Sequence, residues 1–257
     1  VVATRYVTPL REGGSLPAVV EASDGGTYVV KFRGAGQGVK VLVAEWIAGE
    51  LGRALGLRVP ELVLLELDPA LGRNEPDSEI RELLKASAGL NLAMDFLPGS
   101  LTFDPLAGPP PAGEEASAIV WFDALVTNVD RTPKNPNLLT WHRQLWLIDH
   151  GASLYFHHGW DGWLERAATP FAPIKDHVLL PWAAGLPEAA ARLAPRLTRE
   201  VVEAVVGAIP EGWLGGPDVP FASVAEHRAA YVTWLLARLS ASTRFTEEAV
   251  RARTQLS

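Results

Sequence analysis

The chain contains no cysteine. Disulfides, cysteine nucleophiles, thiolate zinc sites and cysteine-ligated iron–sulfur clusters are thereby excluded. No segment reaches the roughly eighteen apolar residues that a membrane-spanning helix needs. The opening stretch VVATRYVTPLREGGSLP also lacks the basic run and continuous apolar core of a signal peptide. A soluble, cytoplasmic protein with no membrane span is the expectation, although a start at Val1 rather than Met leaves room for a removed leader. Positive charge is in deficit, with 23 Lys and Arg against 30 Asp and Glu and a formal charge of −7. That balance argues against a broadly basic face, so no nucleic-acid partner is expected, while a local basic pocket stays open. Lysine is scarce beside arginine, which makes each lysine more informative. The six histidines fall in no H-E-x-x-H spacing, no G-x-S-x-G elbow is present, and neither a repeat nor a heptad run can be traced. A hydrolase is therefore a poor first reading.

What is present suffices for a packed core, since 48% of the 257 residues are hydrophobic and 21% charged. The first forty residues read as strands joined by turns: Tyr6–Val7, then AVVEA, then SDGG with Gly25 and Gly26 as a tight hairpin, then TYVVKF. Leu42, Trp46, Leu51 and Leu55 near helical spacing predict a helix over 39–56 that Gly56 can end. A strand in PELVLLELD, a short helix over 78–88 and an extended NLAMDFLPG follow. Proline and glycine between Leu101 and Gly113 mark a connector, which places a boundary at 98 and divides the chain into 1–98 and 99–257. The second part opens with an amphipathic helix over 114–127, continues through a buried strand in QLWLIDHGASLYF, and ends in helices over 187–207, 223–241 and 246–256. Trp46, Trp121 and Trp146 lie in apolar elements and are read as core, whereas Trp160 and Trp163 are read as surface or substrate-loop residues that could line a pocket with Trp182 and Trp213.

The most informative stretch is NVDRTPKNPNLLTWHRQLWLIDHG. Asp130 and Asn135 lie five residues apart in a proline-broken turn, and Asp149 follows at the end of an apolar strand. A hard cation that carries nucleotide phosphates needs this mixture of anionic and neutral oxygen ligands, with a base or positioning group beside the acceptor. Each residue alone is equally at home as a turn former.

On these residues the chain resembles the HipA-like branch of the protein-kinase-like superfamily, with a weaker likeness to phosphatidylinositol kinases through D-R-x-x-x-N. The resemblance implies an α+β, two-lobed protein-kinase-like fold, with a small antiparallel-sheet nucleotide-binding lobe at 1–98 and a mainly helical catalytic lobe at 99–257. It implies a catalytic aspartate at Asp130 and magnesium ligands at Asn135 and Asp149, with Asn128 and Asn137 flanking the site. In the first lobe it implies that Lys31 contacts the nucleotide phosphates and that Glu45 on the following helix orients it, although either could otherwise be a surface residue or half of a structural salt bridge. REGGSLP is similar to a phosphate-covering loop, with Gly13, Gly14 and Ser15 near the ligand, though it departs from G-x-G-x-x-G. Met94, Asp95, Phe96 and Leu97 would form the connector that meets the adenine edge. The implied activity is transfer of a phosphoryl group from ATP, with Mg2+, to an undetermined hydroxyl acceptor, protein serine or threonine among the candidates. The alternative is a nucleotide-binding pseudokinase that acts as a regulatory protein-interaction module.

Overall fold

The computed structural model describes residues 1–10, 16–36, 38–73, 75–216 and 219–256. Gly13, Gly14 and Ser15, expected to cover phosphates, lie outside the described residues. The chain forms two compact units, Val1–Trp46 with Pro60–Gly99, and Ile47–Val59 with Ser100–Ser257.

In the first unit β1 (Ala3–Pro9), β2 (Ala18–Ala22) and β3 (Thr27–Lys31) run antiparallel. Gly25 takes φ +83° in the turn between β2 and β3, a conformation that costs glycine little, and the Asp24 carboxylate accepts from the Gly26 amide and the Tyr28 hydroxyl. Helix α1 (Val39–Ala54) follows and contributes its residues through Trp46 to this unit. β4 (Leu62–Leu67), α2 (Ser78–Ala86) and β5 (Gly89–Asp95) complete a five-stranded sheet in the order β1-β2-β3-β5-β4. Asp77 caps α2 by accepting from the amides of Glu79 and Ile80, and the helix then lays Ile80 and Leu84 onto Val20, Val30, Phe32 and Leu65 of the sheet side.

The second unit holds a small sheet of β6 (Leu101–Thr102), β7 (Leu138–Trp141) and β8 (Gln144–Leu147), with α3 (Gly113–Val126) between β6 and β7 in sequence. β7, which carries no separate signal in the sequence, pairs with β8 through a two-residue turn in which His142 and Arg143 both have positive φ, as a type I′ hairpin requires. The rest is helical: α4 (Trp163–Arg166), α5 (Leu186–Leu193), α6 (Arg199–Gly207), α7 (Val224–Ser240) and α8 (Ser242–Thr254). The single helix expected over 187–207 is two, because Pro195 sits in a short 3-10 turn and Thr198 caps a new helix through the Val201 amide. Helix α3 is the hub, buried from Ala116 to Val126 and packed against α5, α7 and α8.

Arg238 of α7 is wholly buried and donates to the backbone carbonyls of Ala124, Leu125, Ala167 and Thr169, with its guanidinium 4.4 Å from the Phe245 ring centre. It therefore satisfies carbonyls at the end of α3 that the helix leaves without intrahelical donors. Among the tryptophans, Trp121 is buried as expected and its indole N–H donates to Thr246 Oγ1 at 3.1 Å. Trp46 and Trp146 are only half-buried. Trp160 corrects the surface reading, since it is buried and packs edge-on against Phe156, Phe221 and Tyr231 at 4.7 to 5.6 Å, where its large apolar area is removed from water; Trp213 is buried as well.

Candidate active site

In the first unit Lys31 ends β3, held in register opposite Leu92 of β5. Its Nζ lies 2.7 Å from Glu45 Oε2, and the two side chains are 8% and 0% exposed. The backbone just beyond Lys31 is fixed by a buried asparagine: Asn91 Oδ1 accepts from the Arg33 amide, and its Nδ2 donates to the carbonyls of Ser87 and Gly89, all at 2.8 Å. Gly34 approaches so closely that a Cβ there would meet Ala86 and Ser87 atoms at 2.8 Å. At the expected adenine connector, the Asp95 amide donates to Glu61 O and the Phe96 amide to Thr27 O. Met94 and Leu97 are buried and Asp95 and Phe96 exposed.

In the second unit the site begins where α3 stops. Thr127 has φ +56°, uncommon for a β-branched residue, and the turn it makes carries Asn128 back so that its amide donates to Asp123 Oδ1 at 3.1 Å. Asn128 Oδ1 in turn accepts from the Asp130 amide. The Asp130 side chain is gripped on one oxygen only: Asn135 Nδ2 donates to Oδ2 at 2.8 Å and Asn137 Nδ2 at 3.4 Å, while Oδ1 accepts no hydrogen bond among the described residues. Thr132 and Asn135 exchange backbone hydrogen bonds, which closes the turn that returns Asn135 to Asp130. Asp149 follows β8 and has φ +54°, a left-handed conformation that aspartate adopts more readily than most residues with a Cβ. His150 beside it is buried with its ring edge-on to Phe122.

Beneath these residues lies a buried network. Asp123, the one charged residue in the apolar run of α3, binds Arg131 Nε through Oδ2 at 2.5 Å and Nη2 through Oδ1 at 3.4 Å. His177 Nε2 contacts the same Oδ2 at 2.9 Å, and its Nδ1 accepts from the Leu179 amide, which fixes the proton on Nε2. Burial pushes the Asp123 carboxyl up, but the charge of Arg131 and the hydrogen bonds from His177 and Arg131 outweigh it and leave the group well below the ordinary carboxylate range. Burial lowers His177 and outweighs the opposing pull of Asp123. Both groups thus bind fewer protons folded than unfolded, so stability rises with pH and acid removes it. The His177 contribution is complete above its unfolded value of 6.5 and declines as pH falls below it; that of Asp123 is complete above 3.8 and is lost as pH falls through its lower folded value. Unfolding free energies from denaturant titrations between pH 7.5 and 5 are expected to fall by up to about 1.4 kcal/mol per pH unit, and His177→Gln is expected to flatten that slope. An unchanged slope in the variant would remove His177 as its source.

Asp130, Asn135, Asn137 and Asp149 are thus gathered in one unit, and Lys31 and Glu45 in the other. Asp123, Arg131 and His177 were not foreseen. The lone acid in IVWFDALV was a usable signal for Asp123, whereas His177 meets it from 54 residues away with no local trace. Among the described residues no cluster of three His, Cys, Asp or Glu could hold a metal. The donor set of Asn135 and Asp149 is all oxygen, one neutral and one acidic, which suits magnesium, a cation that takes one or two carboxylates and completes its shell with phosphates and water. Because the Asn135 amide nitrogen faces the Asp130 carboxylate, its Oδ1 points elsewhere.

The family description "HipA-like kinase" matches residues 4–245. No curated protein matches the chain. Among solved structures, the proinflammatory kinase CtkA of Helicobacter pylori aligns over 98% of this chain and 97% of its own at 14% identity, with a TM-score of 0.59. The MAP kinase LmaMPK10 of Leishmania major aligns over 99% of this chain and 83% of its own at 13% identity, with a TM-score of 0.27 that carries no weight. The likeness to CtkA is one of fold: a small antiparallel sheet followed by a helical region, the two-lobed kinase-like arrangement.

Proposed function

The chain belongs to the HipA-like kinase family, and from that premise we propose that it transfers a phosphoryl group from ATP to a hydroxyl acceptor. The observation that carries this reading is the buried Lys31–Glu45 pair at 2.7 Å. A desolvated ion pair adds little stability over a well-packed apolar pair, so its place in the core calls for a use, and a lysine held by a carboxylate to meet phosphate supplies one. Glu45 holds the ammonium in place, and Lys31 brings its positive charge to phosphate oxygens. The free N–H of Leu97, which donates no hydrogen bond among the described residues, is the donor of the connector open to an adenine edge, since those of Asp95 and Phe96 are engaged.

In the second unit Asn135 Oδ1 and the Asp149 carboxylate would hold magnesium, which when bound neutralises developing charge on the phosphate oxygens. Asp130 serves the acceptor. Its Oδ2 is anchored by Asn135 and Asn137, so Oδ1 is the atom that accepts the hydrogen bond of the acceptor hydroxyl and receives its proton as the hydroxyl oxygen bonds to the γ-phosphorus and the bond from that phosphorus to the β-phosphate oxygen breaks, releasing ADP. Catalysis by this arrangement is positioning and electrostatics, with no covalent enzyme intermediate. Protein serine and threonine are the acceptor class we propose to screen first. Calorimetry with ATP and magnesium tests the reading: saturable binding is expected, weakened roughly a hundredfold in Asp149→Asn. Undetectable binding by the unmodified, folded protein would refute it.

A further inference from the structure

One guanidinium joins the two segments that carry the proposed metal ligands. Arg131 Nη1 donates to the carbonyl of Asn137 and, at 3.3 Å, to that of Ile148. The Ile148 amide donates to the same Asn137 carbonyl at 3.1 Å. Asn135 lies two residues before the first of these carbonyls and Asp149 one residue after the second, so the Arg131 nitrogen and one backbone hydrogen bond set the spacing of the ligand-bearing backbones. Arg131 has no slack. Its Nε and Nη2 are committed to Asp123, its own carbonyl accepts from the Val178 amide at 2.9 Å, and its side chain is wholly buried.

Asp123 is equally constrained. Its Oδ1 accepts from Arg131 and Asn128, and its Oδ2 from Arg131 and His177. His177 enters in a single tautomer because the Leu179 amide occupies Nδ1. The segment 177–179 therefore grips Arg131 twice, through the Val178 amide on its backbone and through His177 on its counter-ion. A buried ion pair of this kind is a poor source of net stability, and what it supplies is a fixed geometry. A lysine could hold the charge beside Asp123, but it has no planar fork to pair with the carboxylate and bridge two carbonyls at once.

We infer that Arg131 is a positioning residue for magnesium, held by Asp123 and His177, and that the segment 177–179 tunes the metal site through it without touching the metal. The inference rests on the phosphotransferase reading. It is the relation of an outer-shell group to its ligands, whose loss costs roughly tenfold to a hundredfold in metal affinity.

The test titrates magnesium into the full chain with ATP and reads the half-saturating magnesium concentration by calorimetry, beside kcat and a thermal melt. Arg131→Lys is expected to raise that concentration by roughly tenfold to a hundredfold and lower kcat to a similar extent, with the KM for acceptor changed less than about threefold. His177→Phe is expected to move the midpoint in the same direction, and His177→Gln, which restores an N–H toward Asp123, to return it to within about threefold of the unmodified protein. A purely structural role would lower the melting temperature and leave the midpoint of the folded fraction in place. Folded Arg131→Lys with an unchanged midpoint overturns the inference; if that variant fails to fold, an unchanged midpoint in His177→Phe does so. Absence of magnesium-dependent ATP binding by the unmodified protein defeats the phosphotransferase reading itself, and the inference with it.

Discussion

Substituting Asp130 by alanine is expected to lower kcat for phosphoryl transfer by roughly a hundredfold to ten-thousandfold, with ATP affinity changed by less than about threefold. The asymmetry comes from the two oxygens of the carboxylate. Oδ2 is fastened by the amides of Asn135 and Asn137, and Oδ1 accepts nothing among the described residues. Alanine removes the open oxygen, and with it the proton acceptor, while the Asn137 hydrogen bond to the Asp130 carbonyl at 2.8 Å is a backbone contact and persists. The cost to folding is modest, about 1 to 2 kcal/mol for two side-chain hydrogen bonds at a half-buried position. A folded variant with near-normal turnover in a radiolabelled transfer assay would remove Asp130 from the chemistry.

The second large effect separates binding from stability. Lys31→Met takes the cation from beside Glu45, whose carboxylate is fully buried, and is expected to cost about 3 to 5 kcal/mol in denaturant unfolding followed by circular dichroism. Adding Glu45→Leu removes the buried charge as well and is expected to recover most of that loss, because a packed apolar pair replaces a desolvated ionic one. ATP binding should be absent from both proteins. The rescue of stability without rescue of binding is the signature of a pair kept for its chemistry. Binding by the double variant at the original affinity would contradict the role assigned to Lys31, and a single variant as stable as the parent would show that the pair is better solvated than its burial indicates.

How far the chain could be read beforehand depended on the range of each contact. The β2–β3 hairpin was legible because Gly25 and Asp24 act within four residues, and α1 because its apolar spacing and Gly56, at φ +81°, are local. Lys31 and Glu45 were legible as a strand residue and a helix residue in the right order, but their 2.7 Å contact needed the fold. Asp130, Asn135 and Asp149 sit in a stretch short enough for its pattern to be recognised. The support beneath them was not legible, since His177, Asp123 and Arg131 meet only after the chain closes on itself. The tryptophans misled for the same reason: a glycine-flanked Trp160 in HHGWDGW looks exposed until Phe221 and Tyr231, far along the chain, cover it.

The distribution of these indoles governs what an optical experiment can see. Trp46 alone belongs to the first unit, and the other eight belong to the second, where Trp121 and Trp234 are wholly buried. Intrinsic emission during unfolding is therefore almost entirely a signal of the second unit, blue-shifted while Trp121 stays dry, and the first unit could lose its structure with little change in brightness. A single smooth fluorescence transition is no evidence of two-state behaviour here, because agreement between probes means something only when each unit contributes to one of them. Yet that imbalance isolates a reporter: with the other indoles replaced, Trp46, half-buried and adjacent in sequence to Glu45, would be the one emitter left, beside the ion pair on which the phosphate reading depends.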